Sequence, residues 1–339
     1  MKAAQYNGSR TIAVGESIEI PPGPGQVRLN VAFCGICGTD IHIFHGAYSA
    51  DKLPLIPGHE FTGHIAGLGS PEPGLSEGDA CVVDMNIGCG RCYWCRRNEI
   101  LNCPEMQQMG ITIDGAFADY IVVPSRLVIP VPGAHDPAVL ALTEPLSCVV
   151  RAARKARVTF GQSVVVIGVG PIGNLHVQLL WTIGAAPIIV ADISEDRVEM
   201  ALASGADHGT SDPDALEALV MEATQGRGAD IVIESVGHPA LYAQAQKLAR
   251  RGGHIAAFGL TGAEDTLSLN IIETILQENS VAGSVAGMGQ DMHDSLTLLT
   301  HGRINAAPFL GADYPLEDIQ HAFDTFADRP GDLKIQIVM

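Results

Sequence analysis

One stretch in the middle of the chain constrains the fold more than any other. Val164-Val165-Val166-Ile167 is wholly apolar, Gly168-Val169-Gly170-Pro171-Ile172-Gly173 follows without a break, and a helical pattern runs on to Ile183. A short apolar run of this kind fits a strand buried on both faces. The three glycines have separate jobs. Gly168 makes the turn, Gly170 lets backbone approach a pyrophosphate, and Gly173 lets helix and strand pack closely. Pro171 and Ile172 open a helix whose amino terminus offers free N–H groups and positive dipole to phosphates. Alone the G-x-G-x-x-G pattern is weak, and its context strengthens it. The next apolar run ends at Asp192, roughly 20 residues on, where a dinucleotide-binding unit carries an acid.

Asp192 also bears on the cofactor. A carboxylate there accepts hydrogen bonds from the ribose hydroxyls of NAD and repels the extra phosphate of NADP, so NAD is expected. No arginine follows Asp192 immediately. Arg197, a turn into the next helix, is the nearest and is expected to border the same site. A second role for Asp192, capping the helix over 195–204, is compatible with the first.

Strand and helix patterns alternate around this unit. Helices are expected over 195–204, 214–224 and 240–249, and strands over 188–191, 231–233 and 254–258. Such alternation means a doubly wound parallel sheet with helices on both faces. Before residue 134 the texture is β-rich and irregular, with short apolar runs at 27–31, 63–66, 80–83 and 118–123 between prolines and glycines. Many short strands with turns between them suggest a barrel-like β domain. The alternation ends after residue 282, and 334–338 reads as a last strand that returns to the first domain. The expected division is therefore 1–148, with a cysteine loop at 86–104; 149–284 as an inserted dinucleotide-binding unit; and 285–339 as the return. A chain of 339 residues suits roughly two domains.

The formal net charge of -18 repels phosphate backbones and anionic lipid, so neither nucleic acid nor membrane is expected as a partner. The amino terminus shows no signal-peptide pattern and no run of some ~20 apolar residues occurs, which points to the cytoplasm. There the eight cysteines are expected as thiols or metal ligands.

Cys89, Cys92, Cys95 and Cys103 form C-x2-C-x2-C-x7-C, in a loop bent by Gly88 and Gly90. Four thiols at this spacing suit a tetrahedral zinc with every position filled, which holds a loop rather than performing chemistry. A disulfide pair is the competing reading. A nucleic-acid-binding knuckle is another, with only Arg91, Arg96 and Arg97 as cations. Cys37-Gly38-Thr39-Asp40 and Gly58-His59-Glu60 are the other metal-capable clusters, since a thiolate and an imidazole bind zinc together. Each alone also reads as an ordinary buried cysteine or a satisfied histidine.

Taken together, Cys34-Gly35-Ile36-Cys37-Gly38-Thr39-Asp40-Ile41-His42, Pro57-Gly58-His59-Glu60, the four-cysteine loop, Thr143-Glu144-Pro145-Leu146-Ser147 and the glycine fingerprint give the chain its resemblance. It resembles the zinc-containing medium-chain dehydrogenases along essentially its whole length, most of all their sorbitol (polyol) and threonine branches. The resemblance implies a GroES-like catalytic domain with a Rossmann unit inserted, two zinc ions per subunit and a homotetramer. It implies a catalytic zinc held by Cys37 and His59, with Glu144 as a further ligand, directly or through water, and Glu60 beside the histidine either just outside the metal or exchanging onto it. It implies that Thr39 takes the substrate's hydroxyl proton and that His42 passes it to solvent through the cofactor ribose, an ordinary surface histidine being the alternative for His42. Phe258, at the carboxyl edge of the sheet, is expected near the nicotinamide. Cys34 and Cys148 are read as buried thiols.

The expected reaction is oxidation of a small alcohol, with a polyol giving a ketose as the first reading. A threonine or vicinal diol (butanediol-type) dehydrogenase is the second, and a non-catalytic zinc-stabilised binding protein a remote third. No arginine cluster suits a phosphorylated sugar. Sorbitol-type enzymes carry an Arg-Tyr pair just after the first strand past the Rossmann unit, where this chain reads Ser284-Val285-Ala286-Gly287. A different or shorter polyol is therefore expected. Phe44 and Tyr48 are read as pocket walls or as core packing.

Overall fold

Gln26–Gly35 is the strand around which the first part of the chain is organised. A computed structural model describes residues 1–8, 10–46, 50–326 and 334–339. The strand pairs antiparallel with Glu60–Leu68 along one side. On its other side Tyr120–Pro124 pairs with residues 26–30, and Gln336–Val338 pairs with residues 33–35. The full sheet has seven strands, in the order Asp313–Pro315, Gln336–Val338, Gln26–Gly35, Glu60–Leu68, Ala80–Val83, Val128–Pro130, with Tyr120–Pro124 attached to Gln26–Gly35. Register shifts at Arg28/Leu29 and Val31/Phe33 bend the central pair. Extra residues of this kind increase local twist and curl a sheet toward a barrel. Alternate residues Val27, Leu29 and Val31 point inward and are buried. A further cluster packs Val82, Ile129 and Val131 on Leu140, Met292 and Leu296, so the helix Gln290–Thr300 belongs to this unit.

The second unit is a six-stranded sheet, parallel throughout. Its order is His208–Thr210, Ile188–Ala191, Val164–Ile167, Ala229–Glu234, Ala249–Ala257, Ser280–Gly283. The chain reverses direction across the sheet beside Val164–Ile167, which is where ligands of open α/β sheets bind. Both faces are covered. Val164, Val166, Ile188 and Val190 lie in one apolar cluster, while Val165, Ile167, Ile189 and Val232 lie in another. That two-sided burial is the physical reason these strands are continuous apolar runs.

By compactness the first unit comprises Met1–Pro145, Met288–His301 and Ala306–Met339, and the second Leu146–Gly287 and Gly302–Asn305. The short segment 302–305 is tied to the second unit by Gln178, whose side chain bonds both the amide and the carbonyl of Asn305 at 2.6 and 3.1 Å. The strand expected over 254–258 starts earlier, at Ala249, and ends at Ala257. Ser280–Gly283 is the sixth strand of the parallel sheet, so Ser284–Gly287 follows a strand of the Rossmann unit rather than one beyond it. No helix among the described residues is long and apolar enough to cross a membrane.

Candidate active site and metal centres

Cys37 stands at the amino end of the helix Gly38–Phe44. Asp40, three residues on, accepts a hydrogen bond from the Cys37 amide at 2.9 Å through Oδ2. This reciprocal arrangement fixes the angle at which the chain enters the helix. The other Asp40 oxygen accepts from the Gly58 amide at 3.4 Å and lies 3.5 Å from His59 Nδ1. One buried carboxylate thus holds both the cysteine segment and the histidine segment. Gly58 has a φ of +94°, and a Cβ there would lie 2.9 Å from the Cys34 sulfur and the Phe117 amide nitrogen, so only glycine fits the turn that presents His59.

The result is a compact trio. One ligand atom each from Cys37, His59 and Glu60 lies within 4.8 Å of the others. His59 and Glu60 are 2% and 0% exposed. Burial opposes protonation of His59, but Asp40 and Cys37 outweigh it and hold the imidazole well above its usual range. A pocket that attracts a proton between a thiol and a carboxylate attracts a divalent cation for the same reason. With Nδ1 toward Asp40, the other ring nitrogen is left for a metal, in the usual carboxylate–histidine–metal order. The donor set of sulfur, imidazole and carboxylate suits zinc and leaves a fourth position for a small ligand.

Glu144 lies in the first turn of the helix Thr143–Ala156 and is buried, but it stands outside this trio. Thr39 Oγ1 is 3.8 Å from the Cys37 sulfur. His42 is exposed on the same helix. Cys34 and Cys148 are buried thiols outside both metal-capable groups, and Cys148 accepts from the Gly287 amide at 3.3 Å. Burial pushes the Cys34 thiol well up, so it stays protonated. Phe44 is packed core rather than a pocket wall. Its ring lies 5.7 Å from Tyr6 and 5.2 Å from Phe323, and its carbonyl accepts from the Tyr6 hydroxyl. Tyr48 lies outside the described residues.

The four cysteines of the loop also converge, with their sulfurs within 4.8 Å of one another. Cys92 caps the short helix Tyr93–Arg96 and accepts from the Cys95 amide at 3.4 Å, while Cys103 accepts from the Cys89 amide at 3.5 Å. The Cys89 and Cys95 sulfurs are 4.0 Å apart. A tetrahedron of sulfurs around zinc at ~2.3 Å needs a separation of about 3.8 Å. A disulfide needs about 2.05 Å. The backbone amides of Arg91 and Cys92 push Cys89 down to about 6, while burial pushes Cys95 up to about 12.

In the second unit Gly168 takes a φ of +86°, and a Cβ on Gly173 would collide with the Gly168 carbonyl. Gly170 caps the helix Pro171–Ile183, with Pro171 and Ile172 in its first turn. Asp192 Oδ2 accepts from the Val169 amide at 2.8 Å, and Oδ1 accepts from Ser194 at 3.0 Å. The helix Glu195–Ala203 is capped by Ser194, not by Asp192, which answers the alternative raised for that acid. The Arg197 guanidinium sits 3.9 Å from Asp192. Gly168, Asp192 and Arg197 border a cavity of about 190 Å³ lined further by Thr210 and Val236. Phe258 follows the strand Ala249–Ala257, its amide bonded to the Glu234 carbonyl, its ring edge-on to His176 at 5.0 Å.

Two residues of the first site carried no role in the sequence reading. Asp40 had a signal, its spacing three residues after Cys37. Lys334 had none: it forms a buried ion pair with Glu60 from the far end of the chain.

Comparison with known proteins agrees with this geometry. Residues 23–133 match the profile of the alcohol dehydrogenase GroES-like domain, and residues 171–301 that of the zinc-binding dehydrogenases. The chain is similar to a sorbitol dehydrogenase of Halalkalibacterium halodurans, 33% identical over 94% of this chain and 93% of that one. It is similar also to an L-threonine 3-dehydrogenase of Thermococcus kodakarensis, 32% identical over 91% and 89%. Among solved structures, a zinc-binding dehydrogenase of Sinorhizobium meliloti bound to NADP superposes with a TM-score of 0.93, 28% identity, and coverage of 100% and 99%.

Proposed function

The chain belongs to the zinc-dependent medium-chain dehydrogenases of the polyol-dehydrogenase type, oxidoreductases acting on CH–OH donors, and on that premise we propose that it oxidises a secondary alcohol of a polyol to the ketose with NAD. The observation that carries this reading is the trio Cys37, His59 and Glu60, a mixed donor set with a position to spare. Zinc held there supplies a Lewis acid that lowers the pKa of an alcohol hydroxyl, and NAD supplies the hydride acceptor. Cys37 and His59 would hold the metal, with Glu144 as a further ligand, directly or through water. Asp40 fixes the orientation of both ligand segments. Thr39 accepts the hydroxyl proton, and the exposed His42 hands it to solvent. With NAD bound as hydride acceptor, the part of Thr39 and His42 would be to carry the hydroxyl proton to water as the alcohol became a ketone.

Gly168, Gly170 and Gly173 make room for the pyrophosphate, and Asp192 binds the adenosine ribose. NAD is favoured over NADP because the Asp192 carboxylate lies at the strand end where a 2′-phosphate would meet it, with Arg197 already engaged by that carboxylate. The same reading carries a cytoplasmic homotetramer. Glu144 together with the threonine dehydrogenase relative supports a second reading, oxidation of L-threonine or a vicinal diol.

A panel of sugar alcohols, L-threonine and butanediols, offered with NAD and with NADP and followed by absorbance of the reduced cofactor, tests the proposal. A sugar alcohol turned over with NAD supports it. Turnover of L-threonine or a diol alone moves the assignment to the second reading. No turnover of any alcohol by zinc-loaded protein contradicts both.

A further inference from the structure

We propose that His176 is a positioning residue for the nicotinamide end of the cofactor, acting through the ring of Phe258. The inference rests on the reading above that the second unit binds NAD with Phe258 beside the nicotinamide. His176 lies in the helix Pro171–Ile183 and is 1% exposed. Its ring stands edge-on to that of Phe258, with centroids 5.0 Å apart and planes at 90°.

As packing alone, an imidazole is a costly choice at this place. Neither ring nitrogen has a hydrogen-bond partner among the described residues. Its helix neighbours Val177 and Leu180 belong to the apolar cluster on which Phe258 also packs. Burial pushes the imidazole down to about 3, so it is neutral. A buried polar group without a partner lowers stability, and an apolar side chain of similar size would be more stable here. Departures of this kind concentrate where a residue serves a ligand rather than the fold.

The place of the ring points to the cofactor. Side chains of a helix lean toward its amino end, so His176 covers the turn at Ile172 and Gly173. That turn belongs to the glycine fingerprint, where a Cβ on Gly173 would collide with the Gly168 carbonyl. Phe258 stands at the carboxyl end of the strand Ala249–Ala257. Its backbone is fixed, because the Phe258 and Gly259 amides both bond the Glu234 carbonyl, at 3.1 and 2.9 Å. What is left to set is the direction of its half-buried ring, and His176 is the ring that meets it. A flat ring sets that direction in a way that a branched aliphatic chain does not.

Calorimetry with NADH and with ADP-ribose, which lacks the nicotinamide, tests the inference beside urea unfolding of the cofactor-free protein. His176→Leu is expected to weaken NADH binding by about threefold to tenfold, the scale of an edge-to-face ring contact. ADP-ribose should bind as it does to the parent. The urea midpoint should rise, because an unpaired polar group has been removed. In a Phe258→Leu background His176→Leu should add no further loss of NADH affinity, since its effect runs through that ring. Should His176→Leu fail to fold, His176→Met carries the same expectations. A variant that binds NADH like the parent overturns the inference, as does one that weakens NADH and ADP-ribose alike, or an undiminished loss in the Phe258→Leu background. A urea midpoint that falls also overturns it, since His176 would then serve the fold. A parent protein that binds neither compound overturns the dinucleotide reading itself, and a Phe258→Leu protein with parent-like NADH affinity overturns the placement of the nicotinamide beside that ring.

Discussion

Asp40 carries more of the first site than its single charge suggests. It bonds the Cys37 and Gly58 amides and lies beside the His59 ring, so three fixed points depend on one side chain. Asp40→Asn keeps the shape but loses the charge that orients the imidazole. A roughly 10–100-fold loss of zinc affinity at this site is expected, measured by chelator competition. Asp230 plays a comparable part in the second unit. It accepts from the Ser163 amide and hydroxyl at 2.8 and 2.7 Å and from Arg250 at 2.7 Å. Burial raises its pKa, but Ser163 and Arg250 outweigh that and hold it below the ordinary 3.8. A carboxyl depressed on folding contributes stability above its unfolded pKa and loses it as pH falls through the folded one. The urea midpoint of Asp230→Asn should therefore fall below the parent's at neutral pH, and the gap should close under acid conditions. A gap that is the same at both pH values counts against the ion pair.

At the scale of elements, the last strand decides whether the first unit closes. Gln336–Val338 pairs with residues 33–35, directly before the Cys37 segment, and Ile337 is 0% exposed. Ile337→Ala should cost about 2–5 kcal/mol by urea unfolding, the usual range for a large buried aliphatic residue. A cost near zero would mean that the strand is not seated in the sheet. This return was legible because Ile335, Ile337 and Val338 make an apolar run at the chain end, and the parallel strands were legible because burial on both faces forces unbroken apolar sequence. His208–Thr210 and Ser280–Gly283 were not. The first has three residues, and the second is a run of small residues, mostly exposed, so neither leaves an apolar signature. The four-cysteine loop was legible from its spacing, whereas the ligand roles of Cys37 and His59 came only with the family resemblance. Lys334 was not, because a lysine at a chain end reads as a solvated charge until the fold buries it.

At the scale of the molecule, the metal-capable groups lie on the first unit, and the cavity proposed above for the dinucleotide lies on the second. The cavity residues owe nothing to the metal ligands for their placement. Mild chelation that strips the Cys37 site should therefore abolish turnover while NAD still binds, read by NADH fluorescence or calorimetry. Loss of NAD binding together with the metal would contradict that independence. The four-cysteine loop should behave differently, because a closed zinc site contributes to folding itself. Cys92→Ser is the corresponding change there, and its damage belongs to stability rather than to the chemical step.

The most direct test pairs zinc content with NADH formation in the parent protein and in Cys37→Ser. Two zinc ions per chain, falling to one with complete loss of turnover and an unchanged unfolding midpoint, is the predicted result. A Cys37→Ser protein that keeps both ions, or that still reduces NAD at the parent rate, would contradict the account.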